Sequence, residues 1–206
     1  MSKATSAAAA AAATATAAAG RNVVASAIDA SWAEACAAHS DIKQWRVSTP
    51  EERVKNAAAR DAVREHWLLD PRYRGTLAFH FREEVHQHFR QRFGAIREAV
   101  VRAGKINKAV RADFRETVHS LEGHHQGEDR IYFPRMMRKE PLLVGPMAWL
   151  AKDHKHLDPL EKKVLSEEEG DAAAAAEACV EFVDFLFDHL AREEMLVVPQ
   201  IMKGAY

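Results

Sequence analysis

Apolar side chains recur at alternating steps of three and four along four long stretches, the spacing of helices with one buried face. The first stretch places Phe79, Arg82, His86, Phe89, Phe93, Ile96 and Val100 on one seam, in a helix predicted from Thr76 to Ala103 and closed by Gly104. The second runs from Lys108 to about Tyr132, with seam residues Val110, Phe114, Thr117 or Val118, Leu121, His124, Glu128 and Ile131. The third runs from Met147 to about Glu168, with Met147, Leu150, His154, Leu157, Glu161 and Val164 inward and a kink expected at Pro159. The fourth runs from Ala172 to about Val198, with Phe182, Leu186, His189, Glu193 and Leu196 inward. Short connections around Gly104–Asn107, Pro141–Pro146 and Gly170–Asp171 make neighbouring helices antiparallel. The fold class this predicts is all-α, an up-down-up-down four-helix bundle.

Upstream, the pattern predicts two additional N-terminal helices. Ser31-Trp32-Ala33-Glu34 has capping-box spacing. Thr49-Pro50-Glu51-Glu52 starts a helix more firmly, and that helix is expected to stop near Leu69, before Asp70-Pro71. Residues 1–20 are nearly all alanine, threonine and serine, a low-complexity tail without the leucine-rich centre of a secretion signal. The domain organisation read from the pattern is therefore a tail over 1–20, a helical extension over 21–75 and the bundle over 76–203.

The seams carry an anomaly. Each of the four helices puts a histidine where an apolar residue belongs: His86, His124, His154 and His189. Two of them have a glutamate one turn on, Glu128 and Glu193, pointing to the same side. A buried imidazole or carboxylate is costly unless paired or bound to metal. A lone histidine on an apolar face is ordinarily a satisfied core residue, but four in register are a set. Counting outward from a turn centred near position 105, His86 and His124 each lie about 19 residues away, level to within a turn at ~1.5 Å per residue. His80 and His88 fall on polar seams. His39, His66, His119 and His156 read as surface or solvated residues, whereas His125, Asp129 and Glu194 stand beside the inward set with their roles open.

Imidazole with carboxylate suits iron, manganese or zinc. Six or more ligands exceed one tetrahedral zinc site. Two first-row metals bridged by Glu128 and Glu193 would use the full set. Zinc offers no redox chemistry, so two iron ions are the first choice of cofactor, with manganese or a mixed pair second.

The segments His124-His125-Gln126-Gly127-Glu128-Asp129 with Phe133-Pro134, Asp153-His154-Lys155-His156-Leu157, and His189-Leu190-Ala191-Arg192-Glu193-Glu194 with Pro199 resemble the hemerythrin-like, or HHE cation-binding, family. The likeness covers about residues 76–203. It implies a four-helix bundle around a non-haem di-iron centre, with His124, Glu128, His154, His189 and Glu193 on ligand positions. His86 is the first-helix candidate, resting mainly on its seam and height. Oxygen-carrying members place a second histidine one turn before the position of His154, where this chain has Leu150. Iron-sensing relatives that also lack it use an additional ligand beside the second-helix histidine, and His125 stands there. By that likeness the expected metal set is His86, His124, His125, Glu128, His154, His189 and Glu193, and simple reversible oxygen carriage is in doubt.

Composition narrows the partners. With 29 basic and 30 acidic residues the net charge is −1, and nothing points to nucleic acid or an anionic membrane. Outside the alanine tract no apolar run approaches the roughly 18–20 residues of a membrane span. Two distant cysteines, Cys36 and Cys179, make no disulfide framework, and a cytoplasmic setting is expected. Two function classes follow. One is a redox-active di-iron protein that reacts with dioxygen, peroxide or nitric oxide, as an oxidase or oxygenase if a small-molecule substrate is present. The other is an oxygen- or iron-binding or sensing protein without turnover. A ferritin-like carboxylate site ranks third. It is suggested by Glu83-x-x-His86 and Glu122-x-x-His125, but these lie on neighbouring helices, and it requires lone glutamates on alternate ones.

Overall fold

The computed structural model describes residues 73, 74, 76–166 and 172–202. The expected N-terminal helices, the alanine tract, His39, His66 and Cys36 lie outside the described residues. Four long helices make up the described part. Helix α1 (77–103) joins Leu77–Phe79, a π-helical stretch His80–His86, and Gln87–Ala103. Helix α2 (108–139) joins Lys108–Gly127, a second π-helical stretch Glu128–Tyr132, and Phe133–Lys139. A 3-10 turn, Pro141–Leu143, leads into α3 (Val144–Leu165), and α4 spans Ala172–Met202.

The α1–α2 turn follows its local chemistry. Gly104 sits at φ 63°, the left-handed conformation that glycine adopts without a Cβ clash, and its N–H donates to the Val100 carbonyl at 2.8 Å. Asn107 caps α2 by accepting from the Val110 N–H at 2.9 Å.

Four boundaries differ from expectation. Helix α2 does not end near Tyr132 but continues through Pro134 to Lys139. A proline ring normally strikes the carbonyl four residues back; the widened turn over Glu128–Tyr132 lies where that carbonyl sits and relieves the clash. The same turn shifts the buried face. Ile131, expected inward, is 46% exposed, and Phe133 and Met136 are buried instead. Helix α3 starts a turn early because Pro146 falls near its beginning, where a missing N–H costs little, and it ends at Leu165. The helix stays continuous through Pro159, which is exposed. Helix α4 runs past Val198 to Met202.

The interior has two apolar ends. At one, Phe93, Phe114 and Phe182 form a mutual ring cluster with centroids 5.0–5.8 Å apart, continuing into Ile96, Leu157 and Leu186. At the other, Phe133, Met136, Leu143, Met147, Leu150, Leu196 and Val197 pack together. The seam histidines lie between the two. Among the described residues no helix is long and apolar enough to cross a membrane.

Phe114 is fully buried and touches the rings of Phe93 and Phe182. Phe114→Ala is expected to lower unfolding free energy in urea by about 3–5 kcal/mol. Val101→Ala, at a side chain 58% exposed, should change it by less than about 0.5 kcal/mol.

Candidate metal centre

All seven residues singled out from the sequence converge in the middle of the bundle, in two groups. His86, His124, Glu128 and Glu193 bring one possible ligand atom each to within 4.8 Å of one another, and so do His125, His154 and His189. His86 comes from the end of one π-helical stretch and Glu128 from the start of the other. In the first group, His86 Nε2 lies 3.2 Å from His124 Nε2. In the second, His154 Nε2 lies 3.3 Å from His189 Nε2, and His125 stacks on His154 with centroids 3.8 Å apart. Two nitrogens bound at right angles to one ion, at ~2.1 Å each, are about 3 Å apart.

The two glutamates lie between the groups. Glu128 Oε1 is 2.8 Å from His124 Nε2, and its Oε2 is 3.6 Å from His154 Nε2. Glu193 Oε2 is 3.5 Å from His86 Nε2 and 3.7 Å from His189 Nε2. Each carboxylate therefore faces one imidazole from each group.

Carboxylates behind the rings set their orientation. His86 Nδ1 is 3.0 Å from Glu194 Oε1, which also accepts from Arg90 Nη1 at 2.6 Å, while Arg82 Nε stands 3.5 Å from Oε2. Burial would raise the Glu194 carboxyl, but the hydrogen bond from His86 and the charge of Arg90 bring it down to about 2. Glu194 is then a carboxylate with no proton to give, so His86 Nδ1–H donates and Nε2 keeps its lone pair for the centre. His189 repeats the arrangement: Nδ1 is 3.2 Å from Asp153 Oδ2, itself held by Arg192 Nη1 at 2.7 Å, and Arg192 Nε donates to Asp188 at 2.8 Å. His154 Nδ1 is 3.2 Å from Asp129 Oδ1. Three rings thus turn Nε2 inward by the same means, the outer hydrogen bond that fixes the tautomer of a metal-binding histidine.

The electrostatics are those of a site built for a cation. Burial lowers His86 and His124, and lowers His125 and His189 well below the usual imidazole range, so these rings are neutral donors near pH 7. Burial pushes the Glu128 carboxyl up to about 8. Burial and then the facing Glu128 hold Glu193 well above the usual carboxylate range. Among the described residues, both oxygens of each glutamate and Nε2 of His125 are buried without a hydrogen-bond partner. Native interiors rarely leave such atoms unsatisfied without an ion or cofactor to meet them. The donor set, imidazoles and buried acceptor oxygens converging from four helices, fits two bound cations.

The residues set aside from the sequence stay outside the centre. His88, His119 and His156 are exposed, and His80 pairs with Glu84 at 2.5 Å on the surface. Arg82, the one charged side chain in the α1 seam besides the histidine, is buried and serves the Glu194 clamp. Asp153 was missed. Its signal was its place directly beside His154, one step around the helix, as Glu194 stands beside Glu193 and Asp129 beside Glu128. The π-helical stretches left no sequence signal beyond Gly127, whose Cβ position would meet the Tyr132 ring at 3.6 Å.

Comparison with known proteins gives one result: residues 77–201 match the sequence model of the hemerythrin HHE cation binding domain. No curated protein and no solved structure matches the chain.

Glu194→Gln and Asp153→Asn remove the orienting charge without removing a candidate ligand. Each is expected to weaken metal binding about 10–100-fold in a competitive chelator titration. His119→Ala, at a solvated ring, should leave affinity unchanged.

Proposed function

Because the chain belongs to the hemerythrin HHE cation-binding family, we propose that its two imidazole groups hold two iron ions and that the protein reacts with dioxygen, peroxide or nitric oxide rather than simply carrying oxygen. His86 and His124 would hold one ion and His125, His154 and His189 the other, with Glu128 and Glu193 within reach of both. The observation that carries this reading is the position of the two glutamates, each within 2.8–3.7 Å of an imidazole nitrogen from both groups. Iron supplies, when bound, the redox chemistry that zinc lacks.

The chain's own residues do the rest. Glu194 and Asp153 present His86 and His189 in the tautomer that binds a metal. Phe81 and Phe89 pack at tilted angles against His86 and His124, and Phe133 stacks near His154, giving the centre apolar surroundings. Leu150 is fully buried among Phe133, Met147 and Leu196. An apolar side chain thus fills the place where oxygen carriers have a further histidine, which supports reactivity over reversible carriage.

The test is optical. Iron-loaded protein is reduced without air and then exposed to dioxygen. A transient absorption band decaying to a ferric spectrum is expected. A stable band removed by evacuation would instead make the protein a carrier or sensor.

A further inference from the structure

One side of the centre opens into a cavity. Its floor is His124, Glu128 and Glu193, and its walls are the apolar side chains of Phe81, Val85, Phe133, Met136 and Val197. It reaches the surface past Leu77 and Tyr132, both large apolar residues left more than a third exposed. The volume is about 100 Å³. That is room for about three waters at ~30 Å³ each, well beyond what a diatomic molecule requires, and somewhat less than the ~150 Å³ apolar cavity that holds benzene.

The opening is one-sided. None of His125, His154 and His189 lines it. That group is closed by the His125–His154 stack at 3.8 Å and by Phe133, 6.1 Å from His154. The lining contains no lysine or arginine, and its one imidazole outside the floor, His80, is paired with Glu84 at 2.5 Å. The walls therefore offer nothing to replace the hydration of a charged group.

We propose that this cavity is the binding site of an organic molecule that is uncharged, mostly apolar and of benzene size or smaller. The molecule enters between Leu77 and Tyr132 and lies against the His86/His124 half of the centre. The proposal rests on the di-metal reading above and adds the substrate class, the side of approach and the entrance.

Benzene is the probe. Its proton NMR signals are followed on titration with the oxidised iron-loaded protein and with the zinc-loaded protein, under nitrogen. Benzene is expected to bind both and to be broadened more by the iron form, because the cavity floor is the metal-binding surface. Two variants occupy the space from different places: Val85→Phe on the wall, and Leu77→Trp at the half-exposed mouth, where folding is least at risk. Each should weaken benzene binding at least about tenfold, a change of ~1.4 kcal/mol, with iron per chain unchanged. No benzene binding, or binding to both variants as tight as to the unmodified protein, would overturn the proposal. Metal analysis of the same samples reads the underlying assignment separately: absence of iron would overturn the di-iron reading, while benzene binding to the zinc form still decides the cavity.

Discussion

Two glutamates facing each other inside an apolar bundle are the constraint around which the molecule is arranged. Glu128 and Glu193 are 1% and 0% exposed, and their oxygens face each other and the Nε2 atoms of four histidines. Burying two such groups as carboxylates costs several kcal/mol each, so without a positive charge beside them they hold their protons. Imidazoles from all four helices surround them, and burial holds those of His86, His124, His125 and His189 below their usual range, so these supply lone pairs rather than charge. A pair of cations would satisfy both demands at once, and metal binding would then be coupled to folding of the bundle's middle.

The rest of the structure supports that middle from outside. Phe93, Phe114 and Phe182 on one side, and Phe133, Leu150 and Leu196 on the other, form the two apolar ends that bring the helices together. Carboxylates behind the rings then fix which nitrogen points inward, and arginines hold two of those carboxylates: Arg90 and Arg82 for Glu194, Arg192 for Asp153. The two π-helical stretches border the candidate centre. One ends at His86 and the other begins at Glu128. Widening the second also rotates Phe133 and Met136 inward, which makes the wall of the cavity.

Much of this was legible in the sequence because the seam histidines violate a strong rule. A polar residue in an apolar stripe stands out, and equal distance from a tight turn gave His86 and His124 the same height. The four helices followed from periodicity, and Gly104 and Asn107 marked the first turn. What lay beyond reach was anything that depends on hydrogen bonding between helices. Asp153 looks like an ordinary surface aspartate until His189 is placed opposite it, and Arg82 looks like a defect until Glu194 is. The π turns shift the phase of a helix without changing its composition, so Ile131 was read as inward and the end of α2 was placed at Tyr132. The expectations for residues 21–72 lie outside the described residues.

Anomalous X-ray scattering at the iron absorption edge, from crystals of the iron-loaded protein, tests the central claim most directly. The account predicts two iron peaks in each chain: one beside His86 and His124, the other beside His125, His154 and His189, with Glu128 and Glu193 between them. A single peak, or iron bound away from the two glutamates, would contradict it.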